Sequence, residues 1–129
     1  MKALLINGSP HERGCTYTAL AELARALAVE GIESEIIQAG RTNISCNACG
    51  VCKKTNRCVH DDLVNEVAQK FNEADALVIG SPVYYASPAG GAISFMDRLF
   101  FSTPWINKTM KVGASVVSCR RGGNTATFD

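Results

Sequence analysis

Residues 76–80, ALVIG, form an uninterrupted apolar run, and a loop of quite different character, SPVYYASPAGG, follows at once. A strand with no polar alternation has no face to give to water, so it belongs in a parallel sheet with helices packed on both sides. That requirement limits what the rest of the chain can be. Residues 2–7 (KALLIN) supply a second short apolar run, closed by Gly8. From Thr16 onward Leu20, Leu23, Ala24, Leu27 and Ala28 recur at three- and four-residue spacing, which predicts a helix ending near Gly31. Glu33–Gln38 reads as a strand, and the acidic pair Asp61 and Asp62 starts a helix whose stripe is Leu63, Val64, Val67, Ala68 and Phe71. Ile93, Met96, Leu99 and Phe100 mark another helix, and Lys111–Ser118 a fourth strand. Strand and helix alternate throughout. The prediction is a doubly wound α/β fold with right-handed crossovers and ligand loops at the carboxyl ends of the strands.

At 129 residues the chain reads as one domain, 1–129. A formal net charge of +1 offers no basic excess for a phosphate backbone, so nucleic acid is not an expected partner. The apolar run in MKALLING is too short for a signal peptide or a membrane span. The expected location is the cytoplasm, where clustered cysteines are ligands or redox groups rather than structural disulfides.

Three loops leave strand ends. In GSPHERGCT, backbone N–H groups with the hydroxyls of Ser9 and Thr16 can surround an anion at a helix N-terminus. It lacks both the Walker and the dinucleotide-binding spacing, and the plainer alternative is a polar turn. SPVYYASPAGG sets two tyrosines between prolines, a stiff aromatic surface suited to a flat ring whose polar edge meets the amides of Val83, Tyr84 and Tyr85; these tyrosines can equally be surface or interface aromatics. SCRRGGNT adds Arg120, Arg121, Gly122, Gly123 and Asn124, with solvated charge as the alternative reading.

In order and spacing, NGSPHERGCTYTAL, ADALVIGSPVYYASPAGGAISFMDRLF and VGASVVSCRRGGNT resemble the NAD(P)H-dependent FMN reductases of the flavodoxin-like fold. The resemblance runs over nearly the whole chain and implies a sheet of order 2-1-3-4. It implies FMN, with the phosphate held by Ser9, His11, Arg13, Gly14, Cys15 and Thr16. The isoalloxazine would rest on Pro82, Val83, Tyr84 and Tyr85 and on the loop carrying Ser118, Arg120, Gly122 and Gly123. Cys15 stands where the family often has Asn, and His11 is otherwise a solvated loop residue. The family also implies a fifth strand and a last helix, so a chain ending at Asp129 is expected to be truncated or to have its edge covered by another subunit.

Four of the six cysteines, Cys46, Cys49, Cys52 and Cys58, lie in SCNACGVCKKTNRC. Zinc sites usually take two separated C-x2-C pairs, whereas a triplet at three-residue intervals plus one more sulfur suits the corners of a 4Fe-4S cube. The pattern resembles the iron-sulfur flavoprotein subgroup of the same family, which implies a 4Fe-4S cluster beside the flavin. Buried thiols or a redox pair remain the alternatives. Cys119 is read as structural or incidental, and His60 as a helix-start residue. The leading expectation is an FMN-dependent oxidoreductase passing electrons between the flavin and an external carrier such as ferredoxin, as a homodimer or homotetramer. Alternatives are a cluster-free NAD(P)H-dependent FMN or quinone reductase, a flavodoxin-like carrier without its own substrate, and a zinc-stabilised interaction domain.

Overall fold

The computed structural model describes residues 1–128. Four strands, β1 (Lys2–Asn7), β2 (Glu33–Gln38), β3 (Ala76–Pro82) and β4 (Val112–Ser118), form one parallel sheet in the order β2-β1-β3-β4. Ile6 sits beside Ile37 on one side and Ile79 on the other, so β1 and β3 are the central strands that the apolar runs demand. The flanking helices are α1 (Cys15–Val29), α2 (Cys52–Thr55), α3 (Leu63–Glu73), α4 (Gly90–Ser102) and α5 (Asn124–Phe128).

Alternation along β1 divides the core in two. Ala3 and Leu5, with Val78 of β3, pack against Leu20, Leu23, Ala24 and Leu27 of α1. Leu4 and Ile6, with Leu77, face the other way, against Val64, Val67 and Phe71 of α3 and Phe95 and Leu99 of α4. Side chains on a strand point alternately to opposite faces, so a fully apolar strand needs both helical layers. Fully burying each large aliphatic side chain contributes about 1.5–3 kcal/mol.

The strand and helix boundaries follow local chemistry. Asp62 caps α3 by accepting the Val64 amide at 3.1 Å, and Gly31 takes a left-handed φ of 71° just beyond α1. β3 runs past ALVIG through Ser81 and Pro82, which pair with Val117 and Ser118 of β4. Two short helices lie outside the expected pattern. α2 has four residues, too few to show an apolar period, and α5 lies in the tail behind Gly122 and Gly123. The buried residues of α4 also differ from the expected stripe. Ala92, Phe95, Arg98, Leu99 and Ser102 are buried, while Ile93 and Phe100 are exposed. The stripe shifts because an arginine takes a core position, for a reason that lies in the cysteine loop.

Candidate functional site

Residues 8–14 leave the carboxyl end of β1 and turn directly into α1. Ser9 and Thr16 are buried, whereas His11, Arg13 and Cys15 are exposed. The turn is built from polar contacts. The Ser9 hydroxyl accepts the His11 amide at 3.1 Å, the Asn7 amide group donates to the Gln38 side chain at 2.6 Å, and Gln38 donates in turn to the Ser9 carbonyl at 2.6 Å. Gly40, at the end of β2, lies so close to the backbone of Gly8 and Ser9 that any side chain there would collide with it. Gly14 precedes α1 without capping its first turn through a side chain, so the leading amides of a fifteen-residue helix point into this loop. Those amides and the helix dipole form a place for an anion.

The loops after β3 and β4 close on the same place. Thr16 Oγ1 and Ser118 Oγ are 2.8 Å apart, which ties the start of α1 to the end of β4. The Val83 amide donates to the Ser118 carbonyl at 2.9 Å. Gly123 adopts φ of 91°, and a Cβ there would stand 2.8 Å from Ala86 Cα and 2.9 Å from Val83 Cγ1. Only glycine meets both conditions, the left-handed backbone and the close approach. Tyr84 and Tyr85 are exposed, Tyr85 at 94%. Arg120 and Gly122 are exposed, and Pro82 is buried at the strand end. One expectation is corrected: of the three amides assigned to a ring edge, Val83 donates to Ser118 because the β3–β4 pairing continues one residue into the loop, and Tyr84 donates to Ser87 at 3.4 Å across the local turn closed by the Val83–Pro88 bridge. Among the described residues the Tyr85 amide has no partner.

The cysteine stretch forms a second centre. Residues 43–50 have no regular structure, and Cys52 begins α2. Cys52 is buried, Cys46 and Cys58 are half-buried and Cys49 is exposed; all four are free thiols. All four line one pocket, together with His60, Arg98, Phe101 and Ser102, and its free volume is about 20 Å³. Among the described residues no three His, Cys, Asp or Glu side chains are placed to hold a metal ion together. Cys119 and Cys15 are exposed and lie outside this pocket.

Sequence reasoning missed Arg98. Its side chain is 1% exposed, yet its guanidinium donates to both Asp62 carboxylate oxygens at 2.7 and 2.8 Å, to the His60 carbonyl at 3.3 Å, and twice to Cys58 Sγ at 3.4 Å. A charge with that little water contact requires a partner, and Asp62 is the partner. Burial would raise the Asp62 carboxyl, but the hydrogen bonds from Arg98 and the Val64 amide, with the Arg98 charge, hold it below its ordinary value. The hydrogen bonds to Asp62, against the opposing effect of burial, hold the Arg98 guanidinium above its own ordinary value, and Cys58 adds to this. The signal available in the sequence was an arginine at the core spacing Phe95, Arg98, Leu99, Ser102, with an acid at the start of the preceding helix.

A broader groove of about 740 Å³ runs beside α2 and α3, lined by Asn56, Asp61, Asn65, Gln69 and Trp105 among others. Its acids are already paired: Asp61 with Arg57, Asp62 with Arg98, and Glu66 with Lys70 at 3.1 Å. No helix is long and apolar enough to cross a membrane, among the described residues.

Comparison with known proteins gives concordant results. An iron-sulfur flavoprotein of Methanocaldococcus jannaschii is 35% identical over 131 residues, covering 99% of this chain and 68% of that protein. An iron-sulfur flavoprotein of Archaeoglobus fulgidus is 38% identical over 99 residues, covering 76% of this chain and 48% of that protein. The chain therefore spans from about half to two thirds of the length of these relatives. Among solved structures, RosB with a bound 8-demethyl-8-formylriboflavin-5'-phosphate intermediate superposes with a TM-score of 0.74 at 19% identity, covering 98% of this chain and 55% of that one. A flavodoxin from the domain Archaea gives 0.64 at 18% identity, covering 96% and 66%. Those two likenesses establish the flavodoxin-like α/β fold. The sequence profile described as NADPH-dependent FMN reductase matches residues 1–129, and the chain belongs to that family of flavin-dependent oxidoreductases.

Proposed function

We propose that this chain binds FMN at the carboxyl ends of β1, β3 and β4 and works as an electron-transfer oxidoreductase, with a 4Fe-4S cluster on Cys46, Cys49, Cys52 and Cys58. One observation carries the flavin site: the three strand-end loops are fastened to one another, by Thr16 to Ser118 and by Gly123 seated on Val83 and Ala86. The loop donors fit a phosphate, since α1 offers amides with no side-chain cap beside the buried hydroxyls of Ser9 and Thr16, and the loop's one carboxylate, Glu12, is exposed and paired with Arg41 at 3.1 Å. Ser9 and Thr16 would hold that phosphate, with Arg13 and His11 at its open side. Tyr84, Tyr85 and the Gly122–Gly123 turn would position the ring and shield it from water. FMN, when bound, supplies hydride or single-electron chemistry, and the protein contributes orientation and hydrogen bonds. No side chain need act as a nucleophile.

The cluster reading rests on the donor set. Four free thiols share one pocket, and the Arg98 guanidinium at its wall, already paired with Asp62, also donates to one of them, Cys58. A cluster would supply one-electron transfer beside the flavin. The expected electron partner is an external carrier such as ferredoxin, and two or four copies of the chain would assemble. A second reading has its own support. The pocket's 20 Å³ is room for about one water, and the cysteines as placed do not converge on a metal ion. That favours an NAD(P)H-dependent FMN or quinone reductase with the same flavin loops.

Anaerobic purification and reconstitution, followed by an absorption spectrum with iron and sulfide analysis, separates the readings. Flavin bands over a broad absorption near roughly 400 nm, with about four irons and four sulfides per chain, support the first. Flavin without iron supports the second, and neither signal overturns both.

A further inference from the structure

The loop at residues 8–14 gives its two kinds of backbone group to different partners. Three successive carbonyls are each taken by a side-chain donor from the end of β1 or β2, or from just beyond it. The Ser9 carbonyl accepts from Gln38 Nε2 at 2.6 Å, that of Pro10 from Arg41 Nε at 3.3 Å, and that of His11 from Asn7 Nδ2 at 3.3 Å. Gly40 is pressed against the same stretch, since a Cβ there would stand 2.1 Å from the Ser9 carbonyl. The amides of Gly8, Ser9 and His11 are also committed, to Gly80, Asn7 and the Ser9 hydroxyl. Beyond them, among the described residues, the amides of residues 12–16 have no acceptor.

Gln38 could be no more than filler at a strand end. Its hydrogen bonds say otherwise. The Ser9 N–H can only donate, so Asn7 turns Oδ1 toward it at 3.2 Å. Asn7 Nδ2 then faces Gln38 Oε1 at 2.6 Å, which leaves Gln38 Nε2 for the Ser9 carbonyl. Asn7 is 0% exposed and stands opposite Gln38 in the β1–β2 register, so each amide fixes the direction of the other. Filler needs size alone, whereas Gln38 uses both ends of its amide, one on Asn7 and one on the loop.

We propose that Gln38 is a positioning residue for the phosphate of FMN: oriented by Asn7, it holds the Ser9 carbonyl back, as Arg41 and Asn7 hold the next two, so that the loop meets the anion with N–H groups and the protein prefers FMN to riboflavin. The inference rests on the flavin reading above. A carbonyl oxygen carries partial negative charge and repels phosphate, whereas a run of backbone N–H groups attracts it. Arg41 also engages the loop's carboxylate, Glu12, at 3.1 Å. A loop held in this arrangement beforehand needs no reordering when the ligand arrives.

The test uses the whole chain, purified without oxygen and stripped of flavin, as wild type, Gln38→Met and Gln38→Glu. Methionine keeps the length of the side chain without either hydrogen bond. Glutamate keeps the acceptor for Asn7 and sets a second carboxylate oxygen against the Ser9 carbonyl. Circular dichroism identifies the folded variants, and one suffices. Each is titrated with FMN and with riboflavin by quenching of flavin fluorescence, and the readout is the ratio of the two affinities. A substitution that merely loosens the fold weakens both flavins alike and leaves that ratio where it was. The expected result is FMN binding weaker by roughly threefold to tenfold, with riboflavin binding unchanged within about twofold. A wild-type ratio in a folded variant, whether neither flavin or both are weakened, would overturn the inference and leave Gln38 a filler. A wild-type chain that binds both flavins equally, or neither, overturns the phosphate reading, and this inference with it.

Discussion

Replacing Asp62 by Asn removes one charge and little else. Asn is as good a helix cap as Asp, so the bond to the Val64 amide survives. What changes is the partner of Arg98, whose side chain is 1% exposed: Nη2 keeps a neutral acceptor at Oδ1, while Nη1 loses its Oδ2 acceptor and the guanidinium loses its counter-charge. Breaking a buried pair from one side costs about 3–5 kcal/mol, because the remaining charge is stranded. The Asp62 side chain is 35% exposed, so water screens the attraction and we expect the lower end, about 3 kcal/mol. Asp62→Ala also loses the cap, about 1 kcal/mol more. The assay is urea unfolding at pH 7. With an m-value of about 1.5 kcal/mol/M, Asp62→Asn should lower the midpoint by about 2 M, and Asp62→Ala by somewhat more. A loss below about 1 kcal/mol for Asp62→Asn would refute the reasoning, since Arg98 would then be stable in the interior without its carboxylate.

The remaining predictions concern pH and the loops. Because the folded pKa of Asp62 lies below its unfolded value of about 3.9, its contribution is fully present above that value and is lost as pH falls through the lower folded pKa. The stability gap between wild type and Asp62→Asn should hold steady from about pH 7 to 5 and close only below about pH 4, read by urea melts across that range. A gap that closes near neutral pH would point to another group. Gly123→Ala, forced into left-handed backbone against Ala86, should weaken FMN binding roughly tenfold or more, read by flavin fluorescence titration. Thr16→Val removes the bond to Ser118 and should lower stability by about 0.5–1.5 kcal/mol; an unchanged urea midpoint would mean that the contact does not tie the loops.

The sheet was legible because burial on both faces leaves a mark in composition. Leu4, Leu5, Ile6, Leu77 and Val78 are apolar for that reason, and their strands emerged where the runs lie. Asp62 was legible as a cap because capping is local chemistry. Arg98 was not legible, since an arginine on a helix ordinarily faces water and its burial depends on Asp62, thirty-six positions away in sequence. The three strand-end loops were read from the sequence as units, but their mutual fastening was hidden, because Thr16 and Ser118 meet only when the sheet has formed. The amide of Val83 was assigned to a ligand for the same reason: nothing local shows that β4 takes it first.

The central claim is that the fastened strand-end loops hold FMN by its phosphate, and a paired titration tests it most directly. Protein purified without oxygen and stripped of flavin would be titrated with FMN and, separately, with riboflavin, following the quenching of flavin fluorescence. The account expects saturable binding of FMN and binding of riboflavin weaker by roughly tenfold or more, since charge-assisted hydrogen bonds to the phosphate are lost. Equal affinity for both, or no binding of either, would contradict it.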